Sequence, residues 1–134
     1  RWAASRSEPA RERLCQSLEE ANSAFQAGAQ KGLTEPLELI SLDRDFHQII
    51  VNSAAASRLL ATYDTLKPHT ARYTLAYREF FIDHAGESLA EHQDLIHAIL
   101  RGDPDGADRA AARNYWGAAE RLEAIMTAAG EKGA

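Results

Sequence analysis

The sequence predicts an all-α protein, an antiparallel helical bundle of about five or six helices. Apolar residues recur at three- and four-residue spacing along most of the chain. Ser, Asp, Pro and Gly stand where such helices should begin and end. No stretch alternates β-branched and polar residues as a half-buried strand would. At 134 residues the chain is the size of one domain. With 45% hydrophobic and 26% charged residues it can build a core, and disorder is not expected.

The first helix is expected to start at Ser7 and Pro9, because Pro is tolerated in the first turn. Leu14, Leu18, Ala21 and Phe25 then follow at helical spacing. Gly28, Gly32 and Pro36 break the pattern, so residues 28–35 read as a connection. A second helix runs from about Pro36 to Asn52, and Ser53 to Ala56 form a turn. From Ser57 a longer helical pattern carries Leu59, Tyr63, Leu66, Tyr73, Tyr77, Phe80 and Phe81, with a kink expected at Pro68. It should stop near Asp83 to Gly86, with Gly in the left-handed C′ position. Ser88 and Glu91 match a capping box, opening a helix with Leu89, His92, Leu95, Ile96, Ile99 and Leu100 inward and ending at Gly102. Asp103 followed by Pro104 is a second start signal. The last helix reaches about Ala129 before Gly130, burying Ala107, Ala110, Ala111, Ala118, Leu122 and Ile125.

Four polar residues fall on these apolar arcs. In Leu39 to Ile50 each residue advances about 100°, so Leu39, Leu42, Phe46, Ile49 and Ile50 form one stripe. Asp43 and His47, four apart, stack inside the same arc, between Ile50 and Ile40. His92 is centred on its own apolar arc, and Asn114 lies in line with Ala107, Ala118 and Ile125. His97 falls outside, and Trp116 points away from the apolar side of its helix. A buried carboxylate and imidazole are costly unless satisfied. Two readings stand side by side: a hydrogen-bonded polar core, or a cation held by residues from three helices. Imidazole and carboxylate suit zinc, nickel, iron or manganese, and an Asn carbonyl adds a weaker oxygen ligand.

Other functions find little support. The net charge of −5 argues against this chain gripping a nucleic-acid backbone. A single Cys, Cys15, excludes an internal disulfide and suits a reducing, cytoplasmic setting. No apolar run approaches the roughly 18 residues of a membrane span, and no signal peptide is seen. Nucleophile-elbow, phosphate-loop and H-E-x-x-H motifs are missing. The start at Arg1, without an initiator Met, suggests a piece of a longer protein.

Leu42-Asp43-x-x-Phe46-His47, then Glu91-His92-x-x-x-Ile96-x-Ala98-Ile99, then Gly102-Asp103 opening an alanine-rich last helix, resemble the FCD domain. This is the C-terminal ligand-binding domain of GntR-type bacterial transcription regulators of the FadR subfamily. The resemblance runs from roughly Arg11 to Met126. It implies a single effector-binding and dimerisation domain over residues 1–134, acting as a homodimer. A winged helix-turn-helix domain, not part of this chain, would make the contacts to DNA. It also implies a divalent metal, zinc, nickel or manganese foremost, held by one Asp and three His and assisting a small organic-acid effector. By position Asp43 and His47 match the D-x-x-x-H pair, His92 the E-H motif, and Asn114 the place of the last His. Arg72 is the nearest match to a basic residue facing the effector, and Asn114 is a second candidate for contact with it. The domain would then bind rather than catalyse. The alternatives are a metalloenzyme using a metal-bound water, and a helical interaction module without ligand.

Overall fold

The computed structural model describes residues 1–30, 36–54, 78–128 and 130, with 60–62, 64, 65, 68 and 72 between them. Every element among these is helical, and the helices form a bundle. A short 3-10 turn at Trp2–Ser5 precedes α1 (Glu8–Gln30), α2 (Pro36–Ala54), α3 (Arg78–Asp83), α4 (Ala85–Leu100) and α5 (Pro104–Ala128). None is long and apolar enough to cross a membrane.

Helix α1 packs against both α2 and α4, and α4 packs against α5. The last two are joined by only Arg101 to Asp103, so they run antiparallel as a hairpin. That corner follows the expected chemistry. Gly102 takes φ +67°, a conformation open to Gly without penalty. Asp103 Oδ1 accepts from the Gly106 backbone N–H at 2.8 Å, capping α5.

Among the described residues, two apolar clusters make the core. One gathers Leu14, Leu18, Phe46, Leu95, Ile96, Ile99, Ala107 and Ala110 with the Ala3 and Ala4 of the 3-10 turn. The other holds Phe25, Leu39 and Ala85, with Leu42, Phe81, Ile82 and Leu89 packed around it. They meet at His92, which stacks on Phe46 (centroids 3.8 Å apart, planes at 14°) and lies 5.8 Å from the Phe25 ring.

Several boundaries differ from the sequence expectation. Helix α1 continues through Gly28, which is buried, to Gln30; the cost of a helical Gly, about 1 kcal/mol, is offset by the packing this face gains. Helix α2 extends to Ala54, into the expected turn. The capping box is not formed: α4 starts four residues earlier, at Ala85 after N-cap His84, so Ser88 lies within its first turns. The Ser88 backbone N–H bonds the His84 carbonyl at 3.2 Å, while Glu91 is drawn to α5 instead. Gly86 is helical and has no left-handed φ. Leu100, at the end of α4, is 46% exposed. On α5 Ala118 is exposed and Leu122 and Ile125 are only half-buried, so the far end of that helix buries less than its periodicity suggests. Of the aromatic stripe, Phe81 is half-buried beside Phe25. Leu59, Tyr63, Leu66, Tyr73 and Tyr77, and the neighbours of Pro68 where the kink was expected, lie outside the described residues.

Candidate metal centre

Helices α2 and α4 bring Asp43, His47 and His92 together. One ligand atom from each lies within 4.8 Å of the other two. His92 Nε2 is 3.5 Å from Asp43 Oδ1, and His47 Nε2 is 3.8 Å from Asp43 Oδ2. The i,i+4 spacing on α2 sets the second approach. The crossing of α2 and α4 past α1 sets the first. His92 is fully buried, while the Asp43 and His47 side chains keep 19% and 13% exposure. The triad is therefore largely, though not wholly, shielded from solvent.

Burial governs the charges here. It lowers His47 to about 4, and lowers His92 to about 3 with help from His47 nearby. Both imidazoles are neutral at pH 7, so their approaches to Asp43 are not ion pairs. Burial, followed by the charge of Glu91, pushes Asp43 up to about 7. The outcome is a cluster of two neutral imidazoles and one carboxylate, short of protons to share.

One atom records that shortage. His92 Nε2 is buried and has no hydrogen-bond partner among the described residues. An unsatisfied buried polar atom costs about 1–3 kcal/mol, and a cation is the group that would satisfy it together with Asp43 and His47. The outer nitrogens are supported separately: His92 Nδ1 lies 3.0 Å from Asn22 Oδ1, and His47 Nδ1 lies 3.4 Å from the Tyr115 hydroxyl. Histidine ligands of metals are held this way, the second nitrogen bonded to an orienting group. Two nitrogens and one carboxylate oxygen are a donor set that fits zinc and its neighbours in the first transition series.

Asn114 is buried on α5, as its place on the apolar arc predicts. Its Nδ2 donates to Glu91 Oε2 at 2.9 Å, so any part in metal binding falls to Oδ1. Glu91 also pairs with Arg121, which donates from Nη1 at 3.1 Å and from Nη2 at 3.3 Å. Gly117 makes room for this: a Cβ there would stand 3.0 Å from Arg121 Nη1 and 3.2 Å from Glu91 Oε1. Arg72 lies on the surface, with the segments on either side of it outside the described residues. His97 and Trp116 are exposed, as expected.

Sequence reasoning missed Asn22 and Tyr115. Asn22 carries a readable signal, since it sits on the inward arc of α1 between Leu18 and Phe25 and is 7% exposed. Tyr115 carries none: it is 54% exposed and reaches His47 only through the crossing of α5 over α2.

Comparison with known proteins gives one result. The family model described as the FCD domain matches residues 1–115, a span that includes all three members of the triad and Asn114. No curated protein and no solved structure matches the chain.

Proposed function

Because the chain belongs to the FCD domain family, we propose that it is the effector-sensing domain of a GntR-type transcription regulator, binding a small carboxylate through a divalent metal. The buried, unpartnered His92 Nε2 facing Asp43 carries the metal reading. Asp43, His47 and His92 would hold the ion. The chemistry it supplies is a Lewis-acidic anchor for an oxygen of the effector's carboxylate. The neutral imidazoles keep their lone pairs available, and Asn22 and Tyr115 keep the rings in place. Arg72 and Asn114 are the candidates for further contacts to the effector. Binding is the whole requirement, so no general base or nucleophile is assigned. In a homodimer, an effector favouring one arrangement of the two copies would bias the DNA-binding heads attached to them.

The test is metal analysis of the purified protein, followed by thermal melts with zinc, nickel or manganese and a panel of organic acids, with and without chelator. A ligand at a hundred times its Kd stabilises by about 2.7 kcal/mol, so a rise of several degrees is expected with metal and a further rise with the correct acid. Melting temperatures that respond to neither metal nor acid would sink the reading. A second variant sharpens the role of Asn114. Asn114→His should raise zinc affinity about tenfold, on the order of 1.4 kcal/mol, if the position can complete a four-coordinate site. An unchanged isotherm in a folded variant removes Asn114 from the metal.

A further inference from the structure

His92 is the buried end of a hydrogen-bonded chain that begins at the surface. Gln93 Nε2 donates to Glu19 Oε1 at 2.8 Å and lies 3.2 Å from His97 Nε2. Gln93 Oε1 accepts from Asn22 Nδ2 at 3.4 Å. Asn22 Oδ1 in turn lies 3.0 Å from His92 Nδ1.

The chain has a direction. A carboxylate only accepts, so Gln93 turns its NH2 group toward Glu19 and its carbonyl toward Asn22. Asn22 meets that carbonyl with its own NH2, which leaves Oδ1 for His92. A carbonyl oxygen cannot donate, so Nδ1 of His92 must carry the proton of the bond between them. A neutral imidazole has one N–H, and Nε2 is therefore a bare lone pair. That lone pair is the unpartnered atom 3.5 Å from Asp43 Oδ1.

We infer that Asn22, aligned by Gln93 and Glu19, is a positioning residue that holds His92 in its Nδ1–H tautomer and keeps Nε2 free to ligate a divalent metal. Left to itself, a neutral imidazole beside a carboxylate places its proton between them, with Nε2–H donating to Asp43. The relay opposes that arrangement. It holds the metal-free site in the form that a metal requires, at the cost of an unsatisfied lone pair. The purpose assigned to the relay rests on the metal-binding reading above; the tautomer itself does not.

Nitrogen-15 NMR of the imidazoles in metal-free protein reports which ring nitrogen carries the proton, and a zinc titration reports the consequence. Wild-type His92 is expected as the Nδ1–H form. Asn22→Leu, similar in volume but without an acceptor, should move the proton to Nε2 and weaken zinc binding about 10- to 100-fold. Asn22→Asp restores an acceptor, and should keep the proton on Nδ1 and bind zinc within a few-fold of wild type. Gln93→Leu, which leaves the Asn22 amide free to turn over, should give a mixture of tautomers. A His92 that stays Nδ1–H in both Asn22→Leu and Gln93→Leu overturns the inference, as does equal loss of zinc affinity in the Leu and Asp variants of Asn22. If the tautomer shifts as expected while wild type binds no zinc, the relay stands and the metal-binding reading falls.

Discussion

Replacing Asp43 with Asn is expected to raise the melting temperature of the metal-free protein at pH 8 and to abolish its stabilisation by zinc. The carboxyl is held at about 7 in the folded chain, against an ordinary value of 3.8. The folded state thus binds this proton more tightly than the unfolded state does. Above pH 7 the carboxylate is ionised in both states, and the full cost of burying its charge falls on the fold. At about 1.36 kcal/mol per unit the shift sets an upper bound near 4 kcal/mol. For a side chain with 19% exposure, roughly 2 kcal/mol is a realistic share. That is about 5–10 °C for a domain of this size.

The advantage of the Asp43→Asn variant should shrink as pH falls below about 7 and vanish below about 3.8, where Asp43 is protonated in both states. Both proteins share the histidine contribution, which has the opposite sign. His47 and His92 are lowered from 6.5 to about 4 and about 3, so each removes stability as pH falls below 6.5. The difference between the two melting curves isolates Asp43. The introduced amide also offers an N–H that His92 Nε2 lacks. An Asp43→Asn variant that melts below wild type at pH 8 without metal would show that the carboxylate is satisfied by other means.

Phe46→Ala should be the most damaging single substitution near the site. Phe46 is fully buried, belongs to the larger apolar cluster, and forms the floor on which His92 stacks. Removing a buried Phe side chain costs about 3–5 kcal/mol through lost burial and the cavity left behind. That is a large part of the 5–15 kcal/mol that holds a typical domain together. Phe46→Leu keeps most of the volume and should remain folded, so it tests the ring itself. Denaturant melts are expected to show a loss of about 1–2 kcal/mol. Zinc titration should show weaker binding, because the His92 ring is no longer clamped on that face. If Phe46→Leu binds zinc as wild type does, the hydrogen bond from Asn22 suffices to hold the ring.

The triad was legible in the sequence because each member violates a local pattern. Asp43 and His47 interrupt an apolar arc one turn apart, and His92 interrupts another. The α4–α5 corner was legible for a similar reason: Gly102, Asp103 and Pro104 act within a few residues of one another. Ser88 and Glu91 show the limit of such local reasoning. Their spacing is that of a capping box, yet Arg121 and Asn114, both on α5, claim the Glu91 carboxylate. The start of α4 then moves to Ala85. Tyr115 and the Gln93–Glu19 bond are also products of helix crossing, and no spacing along one helix encodes them.

The meeting of two apolar clusters at His92 bears on how the domain comes apart. Clusters separated by a polar seam can open one at a time, as partly independent cooperative units. A ligand held at the seam touches residues that both units need, so opening either one releases it. Occupancy therefore adds the same increment to the opening free energy of each, and the two units merge into one. In hydrogen exchange, amides of α1 and α2 near Phe25 and Leu39 and those of α4 and α5 near Ile96 and Ala110 would slow together, by the same factor. Ligand binding would then register as a gain in cooperativity across the whole bundle, with no displacement of any helix required.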